Sequence, residues 1–235
     1  MSKVKKRHKI EAAVILVFLM ALIVYFSLYY RASETVEKYL EDSGSVKVST
    51  IAEGLFLDGE GVEDALIFYP GANVEYTAYL PLMHQIAENG TDCFLVEMPL
   101  NHAIFDIDKA DEIVQSYDYE HWFISGHSLG GYAATKYAAD HELDGVILLA
   151  GYAMEDIDEP TLEIYGTEDD VLNRDRVEKG RQYLTGGSEQ KIIEGGNHSQ
   201  FGDYGEQLGD GEATISAEEQ QRITAEAISA FIDAC

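Results

Sequence analysis

The sequence predicts an α/β fold, a doubly wound and mostly parallel sheet without a cap domain, preceded by one transmembrane helix. Three observations lead to this prediction. From about Val46 onward, apolar runs of strand length alternate with amphipathic runs of helix length. A serine flanked by glycines follows one of these strands, and an uncharged apolar run lies near the N-terminus. Alternating strands and helices are typical of a parallel sheet covered on both faces.

The N-terminal region predicts a membrane anchor. Residues 12–30, AAVILVFLMALIVYFSLYY, carry no charge, and about 20 apolar residues suffice to cross a bilayer as a helix. A cleaved signal peptide is the alternative, but its apolar region is shorter and ends in a small-x-small site. Five cations precede the run, so the positive-inside rule places the N-terminus in the cytoplasm and the rest of the chain outside it. The expected location is therefore the cell membrane, with the lipid bilayer as a partner.

The chain length predicts a single globular domain after this anchor. We expect a basic cytoplasmic tail at residues 1–11, a signal-anchor helix at 12–30, a stalk at 31–45 and one α/β domain at 46–235. The formal net charge of -27, from 16 Lys+Arg and 43 Asp+Glu, argues against nucleic-acid binding, which depends on clustered cations. Salt adaptation and an ordinary solvated surface both stay open as reasons for this charge. The two cysteines do not form a disulfide framework.

The strands and helices follow in order along this domain. VKVST and GLFLD, within residues 46–58, predict a leading antiparallel pair. Continuous apolar runs predict parallel strands buried on both faces: ALIFY (65–69), CFLVE (93–97), HWFIS (121–125), VILLA (146–150), TLEIY (161–165) and KIIE (191–194). Helical spacing predicts helices near 76–88, 103–117, 129–140, 174–183 and 217–233. Only residues 151–160 separate VILLA from TLEIY, which leaves no room for a helical cap and predicts an open cleft.

The segment SGHSLGG, residues 125–131, predicts the mount of a nucleophilic serine. Such a mount needs a strand, a sharp turn that holds the serine in a strained conformation, and a helix, with little bulk on either side. Gly126 and Gly130 flank Ser128 at two residues on each side. A glycine-rich corner without chemistry is the alternative interpretation, and the residues at later strand ends decide between the two.

A serine hydroxyl is a weak nucleophile, so it needs a base that is itself oriented by an acid. On sheets of this type the chain order is serine, acid, histidine. Asp169 follows the strand TLEIY and His198 follows KIIE, so both fall at the carboxyl ends of parallel strands, where ligands bind. Asp170 is the neighbouring alternative for the acid.

The residues that bind the oxyanion and the substrate are predicted less directly. We expect oxyanion donors in the N–H groups of Leu129 and Ala72, with Asn73 as second choice. The candidate substrate-binding residues are Asn73, His127, Phe201 and Tyr204, although the last two equally fit a role in pinning a glycine-rich loop. No cofactor and no metal are expected, because the carboxylates of residues 203–212 lack the alternation of a calcium loop.

The motifs YPGANV, GHSLGG, YGTEDDVL and GGNHSQFGDYG closely resemble those of the α/β-hydrolase superfamily, over roughly residues 60–235. The nearest likeness is to small capless bacterial serine hydrolases. This resemblance implies Ser128 as nucleophile, His198 as base and Asp169 as acid. The family often has His-Gly at the oxyanion loop, where this chain has Pro70 and Gly71.

The expected function is that of a membrane-anchored extracytoplasmic serine hydrolase, carboxylesterase-like, which cleaves an ester or related acyl bond of a small molecule through an acyl-enzyme. Two alternatives remain: a catalytically inactive binding protein with the same fold, and an acyltransferase with the same triad. The sequence does not predict the substrate, the bond type or the oligomeric state, because fold and triad are shared by many specificities.

Overall fold

The structure is a computed structural model that describes residues 2–235, apart from the side chains of residues 2–7, 9, 10 and 12. Its centre is a sheet of eight strands in the order β1-β2-β4-β3-β5-β6-β7-β8. The first pairings, β1 with β2 and β2 with β4, are antiparallel, and all later ones are parallel. The predicted α/β fold and its leading antiparallel pair are confirmed. The strands are β1 Lys47–Ile51, β2 Gly54–Asp58, β3 Asp64–Tyr69, β4 Asp92–Val96, β5 His121–His127, β6 Gly145–Leu149, β7 Thr161–Gly166 and β8 Ser188–Ile193.

The helices are α1 Ser2–Ser27, α2 Leu80–Glu88, α3 Ala110–Ser116, α4 Leu129–Ala138, α5 Arg174–Gly180 and α6 Ala217–Ile232. Three predicted helices are shorter than expected. The helix near 174–183 is α-helical only to Gly180 and ends as a 3-10 turn. The helix near 76–88 begins as a 3-10 turn, and its α-helical part starts at Leu80, with Pro81 in the first turn where proline is tolerated. The helix near 103–117 is divided into two 3-10 turns and α3, because Asp106 between them has non-helical dihedral angles.

The core lies in two layers, one on each face of the sheet. Leu66 and Phe68 of β3 pack with residues of α2 and α6, whereas Ile67 of the same strand packs with residues of α3 and α4. Consecutive side chains of a strand point to opposite faces, so a continuous apolar run fills both layers. Each fully buried large apolar side chain stabilises the fold by about 1.5–3 kcal/mol. The two layers hold the carboxyl ends of the parallel strands in fixed register.

The predicted transmembrane helix at residues 12–30 is not found. Within the described residues, no helix has both the length and the apolar character needed to cross a membrane. Helix α1 begins in the charged N-terminal residues and ends at Ser27. Its part after Glu11 is about 24 Å long at about 1.5 Å per residue, whereas a bilayer core is about 30 Å thick. The end of the predicted span leaves the helix, and Tyr30 pairs with Val74 in an isolated β-bridge.

Residues 31–45, predicted as a stalk, contact the domain. They contain a 3-10 helix at Glu34–Tyr39, in which Val36 is buried. The hydroxyl groups of Ser33 and Thr35 donate hydrogen bonds to the carboxylate of Asp203, at 2.8 and 2.6 Å. The N-terminal segment is therefore fastened to the loop that follows His198.

Residues 150–160, between β6 and β7, form neither a helix nor a strand, apart from the isolated bridge of Ile157 with Leu184. This short connection agrees with the prediction that no cap is inserted at this point. No helix or strand of this connection covers the carboxyl ends of β6 and β7.

Candidate active site

Ser128 lies in a sharp turn between β5, which ends at His127, and α4, which begins at Leu129. Its backbone has φ 53° and ψ -117°, a conformation that costs about 1–3 kcal/mol for a residue with a side chain. The Ser128 N–H donates to the carbonyl of Leu149 at 2.9 Å, which ties the turn to β6. The half-buried serine is therefore held at the carboxyl edge of the sheet.

The two glycines beside Ser128 allow three backbones to meet. A Cβ on Gly126 would lie 2.3 Å from the carbonyl of Gly130, and a Cβ on Gly130 would lie 2.1 Å from the carbonyl oxygen of Tyr69. Neither distance is possible for a real Cβ, so α4 can approach β5 and the end of β3 only with glycine at both positions. The glycines thus have a packing role in addition to accommodating the strained serine.

His198 and Asp169 form a buried pair. The Nδ1 atom of His198 lies 2.9 Å from Oδ2 of Asp169, and both side chains are almost fully buried. The other carboxylate oxygen of Asp169 accepts hydrogen bonds from the N–H groups of Val171 and Leu172, at 3.0 and 2.7 Å. These bonds fix the carboxylate and therefore the orientation of the imidazole. Asp170, the alternative acid, is exposed to solvent.

The loop that carries His198 is held by two polar residues that sequence reasoning did not assign. The Asp210 carboxylate accepts hydrogen bonds from the N–H groups of His198 and Ser199, at 3.2 and 2.8 Å. The side chain of Gln220, fully buried on α6, exchanges two hydrogen bonds with the backbone of Asn197. From the sequence, Asp210 is only one of the carboxylates of residues 203–212 that were tested as calcium ligands. Its hydrogen bonds depend on a tight loop that the spacing of residues in the sequence does not reveal.

Ser128 and His198 line the same cleft, which has a volume of about 460 Å³. The Nε2 atom of His198 is buried and has no hydrogen-bond partner in the described part of the chain. An unpaired buried nitrogen is costly, and functional groups are a usual reason for one. Of the other lining residues, five are apolar, Leu129, Ala150, Met154, Val171 and Leu172, and four carry a polar group, Tyr132, Tyr152, Asn173 and Arg176.

The predicted oxyanion donors differ in availability. Neither the Leu129 N–H, at the start of α4, nor the Ala72 N–H donates a hydrogen bond to any residue that the structure describes. The Asn73 N–H, by contrast, donates to the carbonyl of Asn101 at 2.9 Å. Asn73 also has a positive φ of 57° and does not line the cleft. Ala72 does not line the cleft either, so it is the better candidate for the second donor because its N–H, unlike that of Asn73, is unpaired among the described residues.

The predicted substrate contacts of His127, Phe201 and Tyr204 are not found in the cleft. The exposed fractions of these three side chains are 1%, 0% and 7%. Phe201 and Tyr204 belong to the core cluster on the α2 and α6 side of the sheet, and the Tyr204 ring lies 5.5 Å from that of Tyr30. Phe201 and Tyr204 therefore fasten the loop after His198 to the core. This is the second of the two roles that the sequence suggested for them.

His127 instead forms a buried network with Tyr79, a residue that the sequence did not single out. The Tyr79 hydroxyl lies 2.7 Å from His127 Nδ1 and accepts a hydrogen bond from the Gly71 N–H at 3.1 Å. Burial raises the pKa of Tyr79, which stays protonated. Burial, and after it the neighbouring imidazole of His198, holds the pKa of His127 well below 6.5, so His127 is neutral near pH 7. Tyr79 therefore donates its proton to His127 and fixes the loop that carries Ala72.

Comparison with known proteins agrees with this architecture. The family model described as "Alpha/beta hydrolase family" matches residues 65–222. The chain belongs to this family. No curated protein sequence matches the chain.

Solved structures of several hydrolases have the same fold. An esterase/lipase from an uncultured bacterium is 12% identical with a TM-score of 0.61, over 89% of each chain. A dienelactone hydrolase from Anabaena variabilis is 14% identical with a TM-score of 0.58, over 81% of this chain and 99% of the other. A protein described as a predicted CIB-like hydrolase from Thermoplasma acidophilum is 16% identical with a TM-score of 0.58, over 79% and 98%. At these identities the likeness shows the fold.

Replacing Tyr79 by Phe removes the acceptor of the Gly71 N–H and the donor to His127. With the Ala72 N–H as the predicted oxyanion donor, we expect kcat for p-nitrophenyl acetate to fall about tenfold with little change in KM, because this donor would be displaced and would be needed only in the transition state. Tyr137→Phe is the matched control, since it removes another buried hydroxyl, one that bonds to Asp111. A kcat that is unchanged in Tyr79→Phe but reduced in the control would contradict the role of Tyr79.

The buried neutral His127 predicts a loss of stability in acid. The unfolded chain takes up a proton near pH 6.5, whereas the folded chain does so only at a much lower pH, so stability falls as pH drops below about 6.5. The slope contributed by one such group approaches about 1.4 kcal/mol per pH unit. Urea unfolding of His127→Gln between pH 5 and 7 should show a shallower slope than the parent. The control is His121→Gln, which alters an exposed histidine paired with Asp144. Its free energy of unfolding should decrease between pH 7 and pH 5 as steeply as that of the parent. An equal slope in His127→Gln and the parent would refute the assignment.

Proposed function

We propose that this hydrolase is a serine esterase, with Ser128 as nucleophile, His198 as general base and Asp169 as the residue that orients the imidazole. The observation that carries the proposal is the placement of His198. Its Nδ1 is bound to Asp169, while its Nε2 has no partner among the described residues and the side chain lines the cleft that contains Ser128. The esterase/lipase and the dienelactone hydrolase among the structural neighbours support an ester as the bond that is cleaved.

In the first half-reaction the Ser128 hydroxyl attacks the carbonyl carbon of the ester, and Nε2 of His198 takes the proton. The carbonyl oxygen becomes negatively charged and is stabilised by the N–H groups of Leu129 and Ala72. The Asp169 carboxylate stabilises the imidazolium that forms and keeps the tautomer with the proton on Nδ1. The ester C–O bond then breaks, Nε2 returns the proton to the leaving alcohol, and an acyl group stays on Ser128.

In the second half-reaction water takes the place of the alcohol. His198 removes a proton from the water, the hydroxide attacks the acyl carbon, and the bond to Ser128 breaks with return of the proton to the serine. The proposal involves no cofactor and no metal. An alcohol or amine that enters instead of water would give the acyltransferase alternative by the same steps.

The shape of the cleft favours small esters. It lies beside the short β6–β7 connection and is lined mainly by apolar side chains, among them Leu129, Met154 and Val171. Apolar walls with a few polar groups are typical of sites for small molecules. We therefore expect turnover of esters with short and medium acyl chains.

A location outside the cytoplasm is a separate proposal, which rests on the charges around residues 12–30 of the sequence. The proposed reaction does not depend on this location. Protease treatment of intact cells tests the location, because an extracytoplasmic domain is digested before lysis and a cytoplasmic domain is protected.

Replacing Ser128 by Ala should lower kcat/KM for p-nitrophenyl butyrate by at least about a thousandfold, because the covalent route is lost. The matched control is Ser125→Ala, a buried serine of β5 whose hydroxyl has no partner among the described residues; its rate should stay within about twofold of the parent. Circular dichroism checks that both variants are folded. A folded Ser128→Ala protein with the parent rate would exclude Ser128 as nucleophile.

The alternatives give different results in the same assay. A folded parent that hydrolyses no ester of the panel would favour a binding protein. Products in which the acyl group has moved to an added alcohol or amine, at a rate above that of hydrolysis, would favour an acyltransferase.

A further inference from the structure

The cleft contains one permanent charge. Among the described residues that line it, Arg176 is the side chain with a fixed positive charge, and no carboxylate accompanies it. Ser128 and His198 line the same cleft, and most of the remaining surface is apolar. A cation near a reactive serine, in a surface that otherwise lacks charge, indicates that this position has a ligand-binding role.

The guanidinium of Arg176, a solvent-exposed residue, contacts Tyr152. Its Nη1 donates a hydrogen bond to the Tyr152 hydroxyl at 2.7 Å, and its central carbon lies 5.6 Å from the centre of the Tyr152 ring. The Arg176 N–H donates to the side-chain oxygen of Asn173 at 3.0 Å, which fixes the backbone. Both Tyr152 and Asn173 also line the cleft. A guanidinium that is already oriented loses little freedom when it binds a ligand.

Arg176 also lacks an acidic partner, although the chain carries a formal charge of -27. Arg181 bonds to Glu163 and Glu178, and Arg222 bonds to Glu219 and Glu226. Within the described residues, Arg174 also lacks an acidic partner, but its guanidinium is bound to the carbonyl groups of Gly166 and Thr167 and does not line the cleft. In the part of the chain that the structure describes, Arg176 makes no such pair, and its one side-chain bond is to the neutral Tyr152. A guanidinium has five N–H donors in a planar fork that fits a carboxylate or a phosphate, so most of these donors are available to a ligand.

We propose that the cleft binds esters that carry a negatively charged group, a carboxylate or a phosphate, and that Arg176 recognises this group. The inference rests on the proposed esterase function and adds the substrate class. The net negative charge of the chain repels anions in general, so an anionic substrate needs a local cation in order to bind. The charged group lies either in the acyl part or in the alcohol part of the ester, and the two cases are separated by choice of substrate.

Two pairs of esters test the proposal, each pair differing in one charge. The mono-p-nitrophenyl ester of adipic acid is compared with p-nitrophenyl hexanoate for a charge in the acyl part. For a charge in the alcohol part, 4-acetoxybenzoate is compared with its methyl ester. The measured quantity is the ratio of kcat/KM for the charged ester to kcat/KM for the neutral ester. Intrinsic differences in reactivity cancel when a variant is compared with the parent.

In at least one pair, Arg176→Gln should lower this ratio about tenfold, in the range expected for loss of a charge-assisted hydrogen bond. Arg176→Lys should lower it less, because the charge is kept and the fork is lost. Lys179→Gln is the matched control: it removes one positive charge from the same helix at a position that does not line the cleft. Its ratio should equal that of the parent.

Other outcomes overturn the inference in distinguishable ways. Equal ratios in Arg176→Gln and the parent, for both pairs, would mean that Arg176 only fastens α5 to Tyr152, while hydrolysis of the neutral esters would leave the esterase function standing. Equal losses of the ratio in Arg176→Gln and Lys179→Gln would assign the effect to overall charge. A folded parent that hydrolyses none of the four esters would overturn the esterase function and this inference together.

Discussion

The contact between the backbone of Gly130 and the end of β3 determines how the site is assembled. Gly130 lies against the carbonyl groups of Tyr69 and Pro70, too close for any side chain. This contact brings the first turn of α4 next to the loop that follows β3. Ser128 and Leu129, at the start of α4, therefore lie at the same edge of the sheet as the loop that contains Ala72. A larger residue at Gly130 would move the start of α4, and Ser128 with it, away from the end of β3.

Two buried imidazoles, those of His127 and His198, lie close to this contact in different polar surroundings. Asp169 is buried but accepts two backbone hydrogen bonds in addition to that of His198, which satisfy its carboxylate. His127, whose ring centre lies 4.6 Å from that of His198, has a pKa well below 6.5 because it is buried beside that second imidazole. In the proposed mechanism, a neutral His127 adds no positive charge that would oppose formation of the His198 imidazolium. His127 also accepts the hydrogen bond of the Tyr79 hydroxyl, which in turn binds the Gly71 N–H. One buried network therefore contacts both His198 and the loop that contains Ala72.

Much of the fold and the acid–base pair could be predicted because they depend on local patterns. Continuous apolar runs place strands, and residues that directly follow parallel strands meet at one edge, which is why the proximity of Asp169 and His198 could be expected from their positions; their catalytic roles stay a prediction. Tyr79 and Arg176 were missed because their contacts join separate segments of the chain, and Asp210 because its bonds depend on the folding of a tight loop. Phe201 and Tyr204 were assigned to the cleft because they follow His198 closely in the sequence, but burial of their large aromatic side chains in the core is also favourable, and both lie there. The span at residues 12–30 was predicted from composition, whereas the helix ends at Ser27 and Tyr30 pairs with the domain.

The central claim is that the strained residue between β5 and α4 is a nucleophile activated by His198. Reaction of the folded protein with a fluorophosphonate, followed by intact mass measurement and peptide mapping, tests it most directly, because this reagent forms a stable bond only with an activated hydroxyl. The account predicts one adduct per chain on the peptide that contains Ser128, and loss of that adduct in His198→Ala. No adduct on the folded protein, or an adduct on a different residue, would contradict it.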